Sequence, residues 1–197
     1  MQELISTLTI WALPVLFAIT LHEAAHGYAA RHFGDSTAER AGRISLNPLR
    51  HIDPMGTVVV PALIVAVSTL SGGSPMLFGW AKPVPVDFGR LRHPKADMLW
   101  VAAAGPFANL VMALCWAMLF RFAIMSPENV YALPLAKMAD AGMQINAVLM
   151  LLNLLPIPPL DGERIAVSLL PAGPAYTFSR LEPYGFPILL VLLFTGI

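Results

Sequence analysis

The stretch "HEAAH", residues 22 to 26, sets two imidazoles four positions apart with a carboxylate beside the first. On a helix, positions i and i+4 lie on one face about one turn apart, so His22 and His26 can offer ring nitrogens to a single Zn²⁺. Glu23 is turned away from that line, where it can work on a water molecule at the ion and leave the ion to the histidines. That set of groups is suited to metal-assisted hydrolysis with Glu23 as general base. A catalytic zinc site also needs a third protein ligand and an open position. Of the aspartates in the middle of the chain, Asp53, Asp87, Asp97, Asp140 and Asp161, only Asp161 stands behind an apolar helix broken by prolines, in "NLLPIPPLDG" at 153 to 162. An unwound helix end inside a bundle can aim a carboxylate inward, and Gly162 lets the backbone turn tightly, so Asp161 is the expected third ligand.

Two asparagines interrupt apolar helices, Asn109 in "AAAGPFANL" and Asn153 in "LLNLLPIPP". An amide in such a place ordinarily bonds a neighbouring helix. Asn153 lies eight residues before Asp161, and Gly105-Pro106 permits close helix approach, so one of the two amides can instead hold a substrate carbonyl or stabilise an oxyanion. Asn109, Gly105 and Pro106 are expected either to contact substrate or to support the metal ligands. His32, His51 and His93 sit in or beside charged, proline-rich connections and read as solvated, and Glu163 and Arg164 read as a surface pair. The ten methionines and the single Cys115 read as packing residues, and Cys115 has no intrachain partner for a disulfide.

The elements that must position these groups are set by composition. Of 197 residues, 57% are hydrophobic and 12% charged, and the mean hydropathy is +0.68, outside the balance of a soluble domain. No charge interrupts the chain between Glu3 and His22, from Met98 to Phe120, or from Ala141 to Leu160. Each run has roughly the 20 apolar residues that cross a hydrocarbon core. The first run lacks a basic flank and leads straight into the His/Glu cluster, so it reads as a helix that stays in the membrane. Helices are expected over about Leu4 to Phe33, kinked at Pro14, over about Ala96 to Met125, and from near Met143 to the prolines before Asp161. Between the first two, "GRISLNPLRHIDPMG" reads as loops with a small hairpin around Arg43 to Leu46, and "FGWAKPVPVDFG" as an edge strand or loop.

Thr57 to Leu70 is apolar but short and holds Pro61, which suits a re-entrant or buried segment, with a short tilted span in a thinned bilayer as the alternative. Arg31, Arg40, Arg43 and Arg50 precede it and Lys82, Arg90, Arg92 and Lys95 come after it, which places both flanks on the cytoplasmic side. A final uncharged run covers Pro183 to Ile197. The reading is one domain over residues 1 to 197: an all-α multi-pass membrane protein, a bundle of about four to six membrane helices with a small membrane-associated β-hairpin or re-entrant region. Zero net charge without a basic patch sets nucleic acid aside as a partner.

"HEAAH" at 22 to 26, "AGPFAN" at 104 to 109 and "NLLPIPPLDG" at 153 to 162 together resemble, in order, the signatures of the site-2 protease family of intramembrane zinc metalloproteases, peptidase family M50. The resemblance covers about Leu4 to Leu170 and is greatest to small bacterial members that carry the catalytic core alone. It implies one zinc per chain held by His22, His26 and Asp161, Glu23 as catalytic base, and Asn153 as a substrate or oxyanion contact. It also implies that "GRISLNPLRHIDPMG" occupies the place of a membrane-associated β-loop that holds substrate extended, which suits a helical substrate whose carbonyls are hidden in its own hydrogen bonds. Two features depart from the family pattern: Glu163 stands where small residues are common, and Thr57 to Pro85 lengthens the interval between the first two motifs.

The function expected is hydrolysis of peptide bonds in or beside transmembrane segments of membrane proteins, in a bacterial cytoplasmic membrane, with the site nearer the cytoplasmic face. The rival from another class is a zinc-binding membrane module or pseudoprotease that holds transmembrane helices without cutting them. An intact base and both histidines favour the enzyme.

Overall fold

The computed structural model describes residues 2–70, 81–125, 127–185, 187–188 and 191. Helix α1 is Gln2–His32, α2 Thr37–Arg40, α3 Val60–Leu70, α4 Pro94–Ile124, α5 Ala132–Asn153, α6 Asp161–Leu169 and α7 Ala172–Ser179. Short 3₁₀ turns at Pro48–His51, Phe88–Arg90 and Glu182–Tyr184 and a π turn at Pro54–Val59 join them, with no strand among the described residues. α4 is the central element, packed against α1, α5 and α6, and α1 also packs on α5.

Small residues make this packing possible. The face of α4 turned inward holds Val101, Ala102, Gly105, Pro106, Asn109 and Met112, while α1 contributes Ala18, Ala24 and Ala30. The opposite face of α4 carries Phe107, Leu110, Val111, Leu114, Met118 and Phe122, all exposed. The fully buried side chains of largest volume are Val101, Asn109, Asn146, Asp35 and Pro14, so polar groups share the interior with small apolar ones while many large apolar side chains are exposed. α4 and α5 are each long and apolar enough to cross a membrane. At the α4/α5 crossing Gly142 lies under the Trp116 indole, where a Cβ would collide with the ring body.

α1 closely matches the expected range and continues through Pro14, which is fully buried. α5 begins eleven residues before the expected start near Met143. Pro134 sits in its first turn, where no intrahelical donor is needed, and Lys137 and Asp140 lie on its exposed side. Gly142, which reads as a breaker in sequence, is kept inside the helix by the close approach of Trp116.

The hairpin expected around Arg43 to Leu46 is not formed. Side chains close local turns there in place of strand pairing: Asn47 accepts from Leu49 N–H at 3.0 Å, and Asp53 accepts from Met55 N–H at 2.9 Å. Pro48 and Pro54 remove two backbone donors that a ladder would need. The interval 57–70 forms part of the π turn and α3, and its Leu63 and Val67 are exposed, so it is not a segment buried in this chain. Most of Pro183 to Ile197 and the start of "FGWAKPVPVDFG" fall outside the described residues.

Residues 81–87, the remainder of that proline-rich stretch, form a strap, extended but unpaired with any strand. Lys82 N–H donates to His51 O at 2.9 Å, and the Arg43 guanidinium donates to Lys82 O at 2.6 Å. At the other end Asp87 N–H donates to the buried Asp35 carboxylate at 2.7 Å. Burial pushes the Asp35 carboxyl up, but hydrogen bonds from Thr37 and Asp87, with Arg90 nearby, outweigh it and hold the group below its ordinary value. Leu91, Ala30 and Val101 form an apolar cluster beneath the strap, flanked by Val86 and Phe88.

Gly142→Val is expected to destabilise the protein by about 1–3 kcal/mol through overpacking against Trp116. Thermal unfolding in detergent checks it, and an unchanged midpoint would mean that α4 and α5 do not approach closely at this point.

Candidate metal centre

His22 and His26 sit on one face of α1, each held by its Nδ1. His22 Nδ1 donates to Asn109 Oδ1 at 2.6 Å, and His26 Nδ1 donates to the Val101 carbonyl at 2.7 Å. Both acceptors lack a hydrogen, so in the neutral rings the proton is on Nδ1 and each Nε2 presents a lone pair. Those two Nε2 atoms lie 3.1 Å apart. Asp161 brings its Oδ2 to 3.2 Å from His22 Nε2 and 3.3 Å from His26 Nε2. Three electron-rich atoms converge with no hydrogen to share, and Asp161 Oδ2 is buried without a hydrogen-bond partner. Ligands about 2.0–2.1 Å from a tetrahedral ion stand roughly 3.3 Å from one another, so this triangle has the dimensions of three corners of a zinc site. The donor set of two imidazoles and one carboxylate fits Zn²⁺ and leaves a fourth position open.

The local sequence explains each placement. Gly105 of α4 passes directly under the two rings: a Cβ there would meet His26 Nε2 and lie 2.6 Å from His22 Cε1. Pro106 is buried in the same turn and has no N–H, which frees the Ala102 carbonyl from its helical donor at the wall of the site. Asn109 is fully buried, and its amide donates to Asn146 Oδ1 at 2.9 Å and to Ala18 O at 3.3 Å while its oxygen receives His22. The prolines at 156, 158 and 159 end α5 and let the chain reverse, so that α6 opens on Asp161. A carboxylate in the first turn of a helix is favoured by the helix dipole. Gly162 has no positive φ; it is required because a Cβ would lie 2.5 Å from the Leu154 carbonyl oxygen. Space, and not a tight turn, explains this glycine.

His22, Glu23, His26, Asn153 and Asp161 line a single cavity of about 210 Å³. One Glu23 oxygen accepts from Val84 N–H of the strap at 2.8 Å, which leaves the other for chemistry. Asn153 donates one amide hydrogen to Leu149 O at 3.0 Å and has a second for the cavity. Asn109 lies behind His22, so of the two asparagines it is the positioning one. The remaining aspartates are engaged elsewhere: Asp53 and Asp87 cap short turns, Asp97 accepts from His93 N–H at 2.7 Å, and Asp140 accepts from Gln144 at 2.8 Å. A larger cavity of about 630 Å³, lined by Ser6, Trp11, Lys137 and Asp140, lies at the far ends of α1 and α5 and holds no candidate ligand set.

Four side chains depart from the sequence reading, among them Cys115, which is exposed on α4 and not packed inside the bundle. His51 is buried, not solvated, with Nε2 bonded to Ser45 O at 2.8 Å, because the strap folds over it. Glu163 is buried and does not pair with Arg164 at the surface; burial pushes its carboxyl up, with Arg164 opposing and Glu182 reinforcing the shift. Arg164 reaches instead to Glu182, at 3.5 Å. Sequence reasoning also missed Asn146, although it lies two turns before Asn153 on α5 and so shares its face.

Asn109→Leu is expected to lower zinc affinity 10- to 100-fold by releasing the His22 ring, and Asp161→Ala to remove bound zinc. Elemental analysis and chelator competition on folded protein check both. Wild-type affinity in Asn109→Leu would deny the amide its orienting role.

No family model and no solved structure matches the chain. Among curated proteins it is 35% identical over 199 residues, 97% of this chain and 83% of the relative, to "Putative zinc metalloprotease YwhC" of Bacillus subtilis. It is 34% identical over 91% of its length to "Putative zinc metalloprotease Rip2" of Mycolicibacterium smegmatis, covering 64% of that protein. Against the Rip2 of Mycobacterium tuberculosis the identity is 31%, and the chain spans 52% of that protein's length. A shared identity of this extent, over nearly the whole chain and most of YwhC, places the protein in the zinc metalloprotease family to which YwhC belongs.

Proposed function

We propose that the protein is an intramembrane endopeptidase of the site-2 protease type, a multi-pass protein of the bacterial cytoplasmic membrane that cuts peptide bonds in or beside transmembrane segments. The observation that carries this reading is the convergence of His22 Nε2, His26 Nε2 and Asp161 Oδ2 in one cavity with Glu23. Zinc held by those three atoms would supply Lewis acidity, polarising a carbonyl and making water a nucleophile near neutral pH. Glu23, steadied by Val84 N–H, accepts the proton of the attacking water and returns it to the leaving nitrogen. The free amide hydrogen of Asn153 is available to the carbonyl oxygen as it gains charge.

The size of the cavity supports an extended substrate. A helix with its side chains is about 10–12 Å across, and about 210 Å³ holds only a residue or two. A transmembrane substrate would therefore unwind at the bond to be cut. The apolar exteriors of α4 and α5 support a lipid setting, and the arginines and lysines flanking α3 support a site nearer the cytoplasmic face. The competing reading, a zinc-binding module without catalysis, uses one Glu23 oxygen to hold Val84 N–H but gives no use to the other beside the metal cavity.

Glu23→Gln is expected to keep zinc and to lose cleavage by about 10²–10⁴-fold, since general-base catalysis is removed while the ligands stay. Asn153→Ala is expected to keep zinc and lower kcat more than it raises KM. Cleavage of a transmembrane peptide by purified protein in detergent, alongside zinc analysis, reads both. Full activity in Glu23→Gln would refute the base, and zinc-loaded wild type that binds but never cuts would favour the binding module.

A further inference from the structure

The wall of the metal cavity holds one group that the reaction above leaves unused. Arg164 lies on α6 one turn after Asp161 and lines the same cavity, the sole lysine or arginine among its described lining residues. Its guanidinium carbon stands 4.7 Å over the Phe88 ring, which also lines the cavity. The attraction of the cation to the ring face holds the guanidinium beside the cavity. Among the described residues its ion-pair partner is Glu182, at 3.5 Å, with side-chain exposures of 35% for Arg164 and 55% for Glu182, and its charge also acts on the buried Glu163 beside it. So open a pair contributes little to stability, and exchanging it for another carboxylate is nearly neutral.

Charge defines what would be exchanged. A zinc dication would be balanced by Asp161 and Glu23, so the charge left over among the lining residues is that of Arg164, whose partner Glu182 does not line the cavity. Five donors in a fixed fork match a carboxylate in two-point contact. We infer that Arg164 is a specificity-determining residue whose guanidinium binds one carboxylate of the unwound substrate close to the scissile bond, with Glu182 occupying that position when substrate is absent. The assignment rests on the peptidase reading for its substrate, but not on the cleavage step. Two sources share the chemistry, an aspartate or glutamate side chain within the substrate and a free C-terminal carboxylate.

The test uses zinc-loaded Glu23→Gln protein in detergent, so that binding is read without turnover. The probes are otherwise identical transmembrane peptides with a single Glu or Gln moved residue by residue through the centre, and a truncated peptide with a free or an amidated C-terminus. At one position the Glu peptide is expected to bind about tenfold more tightly than its Gln twin, and the preference is expected to vanish in Glu23→Gln/Arg164→Gln protein that retains its zinc. Glu182→Gln should strengthen binding of the acidic peptide by removing the competitor. A preference for the free over the amidated terminus, lost with Arg164, would assign the subsite to chain ends. Equal binding of every pair, or a preference that survives Arg164→Gln, would overturn the assignment. Failure of wild type to cut a peptide that Arg164 demonstrably selects would instead sink the peptidase reading and leave this one standing.

Discussion

Three lone pairs drawn to within 3.1–3.3 Å of one another repel unless a cation lies among them, and most of the structure exists to force that approach. His22 and His26 gain their spacing from one turn of α1, but their orientation comes from α4, through the Asn109 amide and the Val101 carbonyl. Asp161 comes from a third element, delivered by the proline-broken end of α5. Each ring has its Nδ1 committed to a pure acceptor, which fixes the tautomer that leaves Nε2 for metal. A zinc ion held there would join α1 to α6, with α4 orienting the two imidazoles, and would contribute to folding as well as chemistry.

Such convergence requires backbones to come close, which accounts for the glycines. Gly105 lets α4 pass beneath the imidazoles, Gly162 lets α6 fold back on the carbonyls ending α5, and Gly142 admits the Trp116 ring. On the proposed membrane reading no hydrophobic force pulls the helices together, so close packing and buried amides must do it. The chain from His22 through Asn109 to Asn146, ending on the Gly142 carbonyl, links α1, α4 and α5 by hydrogen bonds alone. This network orients a ligand and ties the bundle with the same atoms.

How legible all this was depends on whether a residue's role is local. The i, i+4 histidines, the adjacent glutamate and the aspartate behind three prolines announce themselves, because helix periodicity and proline chemistry act within a few residues. Asn109 was visible as a polar break in an apolar run, but its partner was not: only the crossing of α1 and α4 decides that it holds His22 and that Asn153 faces the cavity. Asn146 was passed over for want of a neighbouring motif. The start of α5 was hidden because Gly142 and Pro134 read as breakers until Trp116 and the helix's first turn explain them. The hairpin failed for a related reason. Arg43 to Leu46 has strand-forming residues, yet Asn47 and Asp53 offer nearer partners to the backbone.

The strap shows how far a non-local contact can alter the meaning of a loop. Along the chain, residues 81–87 are a proline-rich connection with no chemistry of their own. Folded, they are anchored at one end by His51 and Arg43 and at the other by Asp35, and between these ends Val84 presents its N–H to Glu23. Pro83 and Pro85 have no N–H, so Val84 carries the sole backbone donor between Lys82 and Val86. The prolines therefore restrict which backbone atom can meet the base, and the two anchored ends restrict where. Glu23 is held with one oxygen fixed by the backbone and the other facing a cavity that also holds the ligands. In an apolar surrounding a carboxylate needs such a donor to remain ordered. The same hydrogen bond that satisfies one oxygen of the glutamate also aims the other.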